Sequence, residues 1–126
     1  MPGGSGNSWI VNSIYGASAG LRGFRAQQLG ADPTKLVGGG AGFLPDHYPS
    51  NLTLAIRRTV PAPGAGFWMA LTVRTNAAAA GDIDVWRVPS LPSTVKPLKI
   101  EVAKTSADES GPDVAVLSDG SIVVTW

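Results

Sequence analysis

Short apolar runs separated by turns rich in glycine and proline extend along most of this chain. The run Asn51–Val60 shows the pattern most clearly, with Leu52, Leu54 and Ile56 at every second position and polar or small residues between them. A period of two is the pattern of a half-buried β-strand, because successive side chains point to opposite faces of a sheet. The pattern therefore predicts an all-β chain.

About nine strands are predicted in all. They are Trp9–Tyr15, Leu21–Gln28, a short strand near Lys35–Val37, Asn51–Val60, Phe67–Thr75, Ile83–Val88, Leu98–Ala103, Val114–Leu117 and Ile122–Trp126. Helix competes only over Gly20–Leu29, where Leu21, Phe24 and Leu29 would share a helical face, and Gly23 favours the strand. The residues Ser118-Asp119-Gly120 predict a tight hairpin turn, because Asp-Gly supplies the positive φ that a type I′ turn needs.

A unit made of an apolar strand and a glycine-rich turn recurs three times, over 8–26, 66–88 and 113–126. Placing Trp9 on Trp68 gives an offset of 59, and placing Phe24 on Trp86 gives an offset of 62, so that three extra positions fall in the turn 76–82. Placing Gly66 on Gly120 gives an offset of 54. Repeats of this length predict four-stranded propeller blades with long loops rather than solenoid turns.

The block Pro112–Trp126 resembles the unit of strand, Asp-Gly turn and Val-Val-x-Trp strand that recurs in propeller-like repeats of bacterial surface, adhesin and lectin-type proteins. Ile83–Val88 and Leu21–Ala26 are similar to the strand that follows this unit in those families. The resemblance covers about half of the chain. It implies propeller-blade-like antiparallel sheets and a non-enzymatic protein that adheres to surfaces or binds carbohydrate.

The repeats predict a single all-β domain over residues 1–126, with a partial blade at 8–30, a blade at 35–90 and a partial blade at 97–126. One whole and two partial blades cannot close a ring, because propellers need roughly four to eight blades. We therefore expect a cyclic homo-oligomer, or a chain that belongs to a longer protein. A β-sandwich of nine strands is the alternative, since evenly spaced turns are typical of sandwiches as well.

Composition narrows the classes of partner. Charged residues make up 15% of the chain against roughly 25% in average proteins, and 44% are hydrophobic, which favours a surface partly covered by other subunits. A net charge of +1 without a Lys/Arg cluster argues against nucleic acid, and no apolar stretch approaches the ~18 residues of a membrane span. There is no cysteine, and no signal-peptide pattern begins the sequence. We expect the protein outside the cell or on a cell or virion surface.

Catalytic, metal and cofactor sites are not predicted. The single histidine, His47, lies in a Pro-Asp-His-Tyr-Pro loop, and no Gly-x-Ser-x-Gly nucleophile motif occurs. The carboxylates Asp108, Glu109, Asp113 and Asp119 lie close in sequence, but they match neither an EF-hand loop nor a Gly-Gly-x-Gly-x-Asp repeat, which favours a solvated loop over a Ca²⁺ site.

Aromatic residues are the better candidates for binding a ligand. Trp and Tyr rings stack on the C–H faces of sugars, while neighbouring charged groups bind the hydroxyls. We expect surface glycan at two groups of residues: Trp86 with Asp84 and Arg87, and Phe24 with Arg22 and Arg25. The favoured function is thus a non-catalytic carbohydrate-binding module. The alternative is a structural protein of a larger assembly, such as a bacteriophage capsid-decoration or tail component, with other virion proteins as partners.

Overall fold

A computed structural model describes the parts of the chain considered below. These are residues 8–15, 21–29, 32, 48–49, 52–64, 66–76, 78–89 and 97–126. The short strand predicted near Lys35–Val37 and the histidine His47 lie outside the described residues.

The described residues form antiparallel β-sheets and no helix, which confirms the all-β prediction. The strands are β1 (Ser8–Tyr15), β2 (Leu21–Leu29), β3 (Tyr48–Pro49), β4 (Thr53–Pro61), β5 (Phe67–Arg74), β6 (Asp82–Val88), β7 (Leu98–Ala103), β8 (Asp113–Val116) and β9 (Ile122–Thr125). They pair as β1-β2-β3, as β4-β5-β6-β7 and as β8-β9. Within this part of the chain there is no helix long and apolar enough to cross a membrane.

The four-stranded sheet β4–β7, called the central sheet below, is apolar on both faces of β5 and β6. Side chains on one face, the core face, form a cluster: Leu54, Phe67, Met69, Leu71, Val73, Trp86 and Val88. The opposite face carries Ala70 and Val85, which pack against Val114 of β8. We call this the hairpin face, because the β8–β9 hairpin covers part of it. Burial on both faces explains why Phe67–Arg74 is a nearly continuous apolar run rather than an alternating one.

Strand β4 does not keep the strict alternation of its sequence. Its pairing with β5 shifts by one position between Ile56 and Arg58, which is a β-bulge. A bulge places an additional residue on one strand, so the side chains beyond it change faces. Leu54 therefore packs on the core face, whereas Val60 packs with the cluster on the hairpin face.

The turn between β8 and β9 occupies the predicted residues 118–120, but its hydrogen bonds differ from those of the predicted type I′ turn. The Leu117 N–H donates to the Ser121 carbonyl at 2.8 Å, and the Gly120 N–H donates to the Leu117 carbonyl at 3.0 Å. The loop 118–120 thus connects the last hydrogen-bonded pair, with Gly120 at φ 85°. A type I turn followed by a left-handed glycine is the usual form of such a three-residue loop. The predicted residues of the turn are thus confirmed, whereas the predicted type I′ geometry is wrong.

The β4–β5 turn has one of these hydrogen bonds at the corresponding residues. The Ala62 N–H donates to the Gly66 carbonyl at 3.1 Å, as Leu117 does to Ser121. The paired residues Pro61 and Phe67 correspond to Val116 and Ile122, which are also paired, and both strands have the same offset of 55. The two hairpins therefore repeat one plan, at an offset one larger than the predicted 54.

The β1–β2 hairpin repeats β5–β6 at a single offset of 59. Trp9 pairs with Gln28 as Trp68 pairs with Arg87, so both strands move together. The predicted offset of 62 for the second strand is wrong, because this pairing leaves no room for three additional positions in the turn. Phe24 corresponds in register to Ile83, whose side chain points to the opposite face from that of Trp86.

The boundaries of the central sheet differ from those of the predicted blade over 35–90. Strand β7, which the sequence predicts in a partial blade over 97–126, pairs with β6 and completes the central sheet. The sheet thus extends from Thr53 to Ala103. The proline-containing connection after β6 explains the difference, since its extended sequence resembles a boundary between units.

Candidate functional site

A cleft of about 400 Å³ opens at one end of the core face. Its lining comes from strands β5, β6 and β7 and from segments next to the strands of the central sheet: Leu52, Val73, Arg74, Thr75, Ala80, Asp82, Asp84, Lys99, Glu101 and Lys104. Volumes of ~300–1,000 Å³ are typical of small-molecule sites. The cleft is thus large enough for a small ligand.

The charges that line the cleft are balanced. Three cationic side chains (Arg74, Lys99 and Lys104) oppose three carboxylates (Asp82, Asp84 and Glu101). This arrangement offers both hydrogen-bond donors and acceptors without a strong net charge. It therefore suits a neutral, polar ligand better than a phosphate or a polyamine, each of which needs charge of one sign.

Alternation along β6 and β7 brings these groups to one face. Asp84 and Trp86 occupy alternate positions of β6, so both side chains point to the core face. Across the strand pair, Asp84 is opposite Glu101 and Trp86 is opposite Lys99. The core face thus changes along its strands from a closed apolar cluster to a charged cleft.

Lys99 and Glu101 form an ion pair on β7, with 3.0 Å between Lys99 Nζ and Glu101 Oε1. The hydrogen bond from Lys99 lowers the pKa of Glu101, and the charges of Lys99 and Lys104 lower it further. Because the Glu101 side chain is half exposed, solvent screens this pair and it adds little to stability. Its effect on the cleft is to keep the Glu101 carboxylate ionised, as an acceptor for a ligand.

Asp84 is the most buried charged group in the cleft, with 5% of its surface exposed. Burying a carboxylate is costly unless other groups compensate its charge. The adjacent strand β7 carries both Glu101, opposite Asp84, and Lys99, which is paired with Glu101. Asp84 is one of the residues predicted to bind ligand, and it lines the cleft.

Trp86 lies in the hydrophobic core rather than at the surface of the cleft. Its side chain is 1% exposed and belongs to the apolar cluster of the core face. A sugar ring needs an accessible aromatic face on which to stack, and Trp86 presents none in this structure. On a strand that is apolar on both faces, a sequence pattern offers no means of distinguishing a buried from an exposed tryptophan.

Arg87 points to the opposite face from Asp84 and Trp86. Its guanidinium donates to the Val88 carbonyl at 2.7 Å and to the Pro63 carbonyl at 3.4 Å. It also lies over the ring of Trp68, with 5.8 Å between Cζ and the ring centroid, which is within the range of a cation–π contact. Arg87 thus secures the β4–β5 turn on the hairpin face, and the predicted grouping of three neighbouring residues is divided between two faces.

The second predicted group lies on β2. Arg22 pairs with Tyr15 on β1 and with Tyr48 on β3, while Phe24 pairs with Ser13 and Arg25 with Asn12. Because Phe24 corresponds to Ile83, it is not the counterpart of Trp86 that the offset of 62 predicted. Ligand binding by these three residues stays a prediction.

The aspartates that follow β7 in the chain have separate structural partners. Asp108 Oδ1 lies 2.7 Å from Arg74 Nη2 and accepts the Gly81 N–H at 3.0 Å, and Asp113 lies 3.3 Å from Arg58 Nε. Asp119 accepts the N–H and hydroxyl of Ser121 within the turn. In the described residues, no three His, Cys, Asp or Glu side chains are grouped to hold a metal ion.

Glu109 is buried in the loop after β7, with 7% of its surface exposed. Its N–H donates to the Gly81 carbonyl at 3.0 Å, and one carboxylate oxygen accepts the hydroxyl of Thr105. The other oxygen, Oε2, and the buried Thr72 hydroxyl have no hydrogen-bond partner in the described part of the molecule. A Cβ on Gly81 would overlap the Glu109 carbonyl and lie 2.8 Å from Thr72 Cγ2. Glycine is thus required where this loop crosses the β5–β6 turn.

Sequence reasoning missed the cleft, although a signal was present. Asp82 and Asp84 occupy alternate positions on one strand, and Lys99 and Glu101 do so on the next. Alternate charges on neighbouring strands indicate a charged face, provided that the strands pair. Placing Leu98–Ala103 in a separate blade conceals that pairing.

No protein-family model, no curated protein and no solved structure matches this chain.

Proposed function

We propose that the chain is a non-catalytic binding module that recognises carbohydrate in the cleft beside Asp84, on a cell or virion surface or outside the cell. The cleft itself carries the proposal: about 400 Å³, with equal numbers of cationic and anionic side chains in its lining. Sugar hydroxyls both donate and accept hydrogen bonds, so a neutral saccharide can use both kinds of group. The apolar patches of a sugar ring would contact Leu52 and Val73.

The state of Glu101 supports binding rather than hydrolysis. A glycosidase needs one carboxylic acid that stays protonated near neutral pH to donate to the leaving oxygen. The hydrogen bond and charge of Lys99, and the charge of Lys104, lower the pKa of Glu101, so this carboxylate is unsuited to act as the acid. We propose that the cleft binds a glycan without hydrolysing it.

A propeller-like stacking of blades is the architecture we propose for this module. At the offset of 55, Ile122 and Val124 correspond to Phe67 and Met69 of the core face. Ile122 and Val124, however, pack against the hairpin face of the central sheet. Corresponding faces thus stack front to back, as blades do, whereas the sheets of a sandwich bury their inner faces against each other.

A glycan array followed by calorimetric titration of the best ligand tests the proposed site. Replacing Glu101 by Gln or Lys99 by Gln should weaken binding by roughly tenfold or more, because a hydrogen bond to a charged group is lost in each case. Both residues are at the surface, so the fold should persist. Asp119→Asn is the matched control, since it alters an exposed carboxylate far along the chain in the β8–β9 turn.

Two results would contradict the proposal. One is the absence of binding to any neutral glycan on the array. The other is a glycan whose affinity is the same for Glu101→Gln, Lys99→Gln and the Asp119→Asn control. Turnover of the bound glycan would instead contradict the non-catalytic assignment.

A structural role in a larger assembly is the second candidate, and exposed apolar side chains favour it. Leu98 and Trp126 are each 57% exposed, and Leu117 is 47% exposed. Side chains of this kind are commonly covered by partners when they are grouped on one surface. Copurification with the other proteins of a virion, together with a negative glycan array, would favour this candidate.

A further inference from the structure

The hairpin face of the central sheet is covered over only part of its width. Strand β8 contacts β4 and β5, and Ile122 and Val124 of β9 pack against the cluster that contains Val85 of β6. On β7, at the far edge, Leu98 is 57% exposed and Ile100 is 36% exposed. An apolar strip therefore continues beyond the point where the hairpin ends.

Strand β9 borders this strip with an unpaired edge. Among the described strands it pairs only with β8. The Leu117–Ser121 hydrogen bond fixes the alternation of the ladder, so Ala115 and Val123 form the next hydrogen-bonded pair. The N–H and C=O groups of Ile122 and Val124 consequently point away from β8, toward the open side.

This edge lacks the features that protect the edges of the central sheet. Strand β4 has a bulge with Arg57 and Arg58 beside it, and β7 carries the ion pair Lys99–Glu101. Charges and bulges discourage the addition of further strands. The segment Ile122–Trp126 has no charged residue, no proline and no bulge in its pairing with β8.

We propose that the edge of β9 and the strip formed by Leu98 and Ile100 bind the β1 edge of a second copy of this chain, head to tail. Sheets stack roughly 10 Å apart and strands lie about 4.8 Å apart, so a strand added to β9 lies over β6 and β7. It would complete the backbone hydrogen bonds of β9 and cover the strip at once. The proposal builds on the blade architecture above but not on the glycan site.

Symmetric pairing of β9 with β9 of the second copy is disfavoured on steric grounds. The two-fold axis of such a pair is perpendicular to the sheet, so both central sheets would lie on the same side of it. The space below the second hairpin is already occupied by β6 and β7 of the first copy. The incoming strand must therefore come from another sheet.

Strand β1 meets this requirement. In the described residues β1 pairs only with β2, and it contacts the central sheet at β4 rather than at the β9 edge. The segment Ser8–Tyr15 has no charged residue, as β9 has none, so their pairing opposes no like charges. A β9–β1 contact uses two different surfaces and so can build a ring.

Single-cysteine variants test the contact directly, because the chain has no cysteine of its own. Val123→Cys in β9 and Ser13→Cys in β1 are prepared separately, mixed and treated with a short bis-maleimide. We expect crosslinked dimers in the mixture and far less product from either variant alone. Light scattering on a sizing column should give a mass of at least twice the 12.9 kDa of one chain.

A charge on the β9 edge supplies the second measurement. Val123→Lys should convert the oligomer to monomer, whereas Thr53→Lys, which adds the same charge at an exposed position of β4, should not. Crosslinking of the Val123→Cys variant with itself, or a monomeric mass for the unaltered protein at high concentration, would overturn the proposal. Glycan binding that persists in monomeric Val123→Lys would show that assembly and the cleft are separate properties.

Discussion

The β4–β5 and β8–β9 hairpins follow one plan and have different surroundings. Both have the same turn hydrogen bond, and one offset relates their pairing on both strands. Yet Phe67 and Met69 are fully buried, whereas Ile122 and Val124 are only half buried. A strand-turn-strand pattern therefore sets local structure, and the number of neighbouring strands sets how much a side chain contributes to stability.

The largest expected difference in stability is between two variants, each of which removes the tryptophan of one region. Trp86→Ala should lower the free energy of unfolding by about 3–5 kcal/mol, because it leaves a large cavity in the core face. Trp126→Ala should change it by less than about 0.5 kcal/mol, since this residue is 57% exposed. Urea denaturation followed by circular dichroism measures both. Equal losses would show that the two regions are equally packed.

A smaller difference in stability is expected between variants of two turn glycines, Gly66 and Gly120. Gly66→Ala should cost about 1–3 kcal/mol, because its φ is 81° and a Cβ would overlap the Val88 carbonyl. Gly120 has a similar φ of 85°, but the nearest atom to its Cβ would be Pro63 Cγ at 3.8 Å. Gly120→Ala should therefore show only the cost of the left-handed backbone, about 1–2 kcal/mol. Thermal melts of both variants compare them, and a larger loss at Gly120 would contradict the described packing.

The smallest expected effect is on the dependence of stability on pH under acidic conditions. The Gly81 N–H and then Arg74 lower the pKa of Asp108, while the pKa of Asp119 is lowered chiefly by its bonds to Ser121. A carboxyl whose pKa is lower in the folded state stabilises the fold above its unfolded pKa, and this stability is lost as the pH falls through the folded value. Unfolding midpoints measured from about pH 6 down to about pH 2 should therefore fall less steeply in Asp108→Asn than in the unaltered protein.

Asp119→Asn is the control for this titration. Its bonds stay within one turn, whereas Asp108 joins the loop after β7 to the central sheet through Arg74, which is only 20% exposed. We expect the smaller change in slope for Asp119→Asn. A steeper acid slope in Asp108→Asn than in the unaltered chain would contradict the described ion pair.

Much of the fold could be predicted from the sequence, because a strand is a local pattern. Leu98–Ala103 is predicted with its observed bounds, and the bounds of β5 and β6 differ by a single position. Pairing is not local: the offset of 62 failed because sequence similarity between Phe24 and Trp86 outweighed the register that the turn allows. The predicted ligand group is divided for a related reason, since adjacent residues on a strand face opposite ways.

The cleft could not be predicted, because it depends on strand pairings that local sequence patterns do not determine. Lys99 and Glu101 lie on the same face as Asp84 only because β7 pairs with β6. Glu109 and Gly81 are far apart in the chain, and their contact follows from the course of a loop with no regular pattern. Such contacts arise from tertiary packing rather than from propensity.

The hydrogen bond from Gly81 to Asp108 has a consequence for local opening of the molecule. An amide in a short surface turn usually exchanges its proton with solvent quickly, but this one is bonded to a carboxylate 27 residues away. The Glu109 amide is bonded in turn to the Gly81 carbonyl. Both amides should therefore give the same opening free energy once each exchange rate is divided by its intrinsic rate, and two amides far apart in sequence would report a single release of the loop from the sheet.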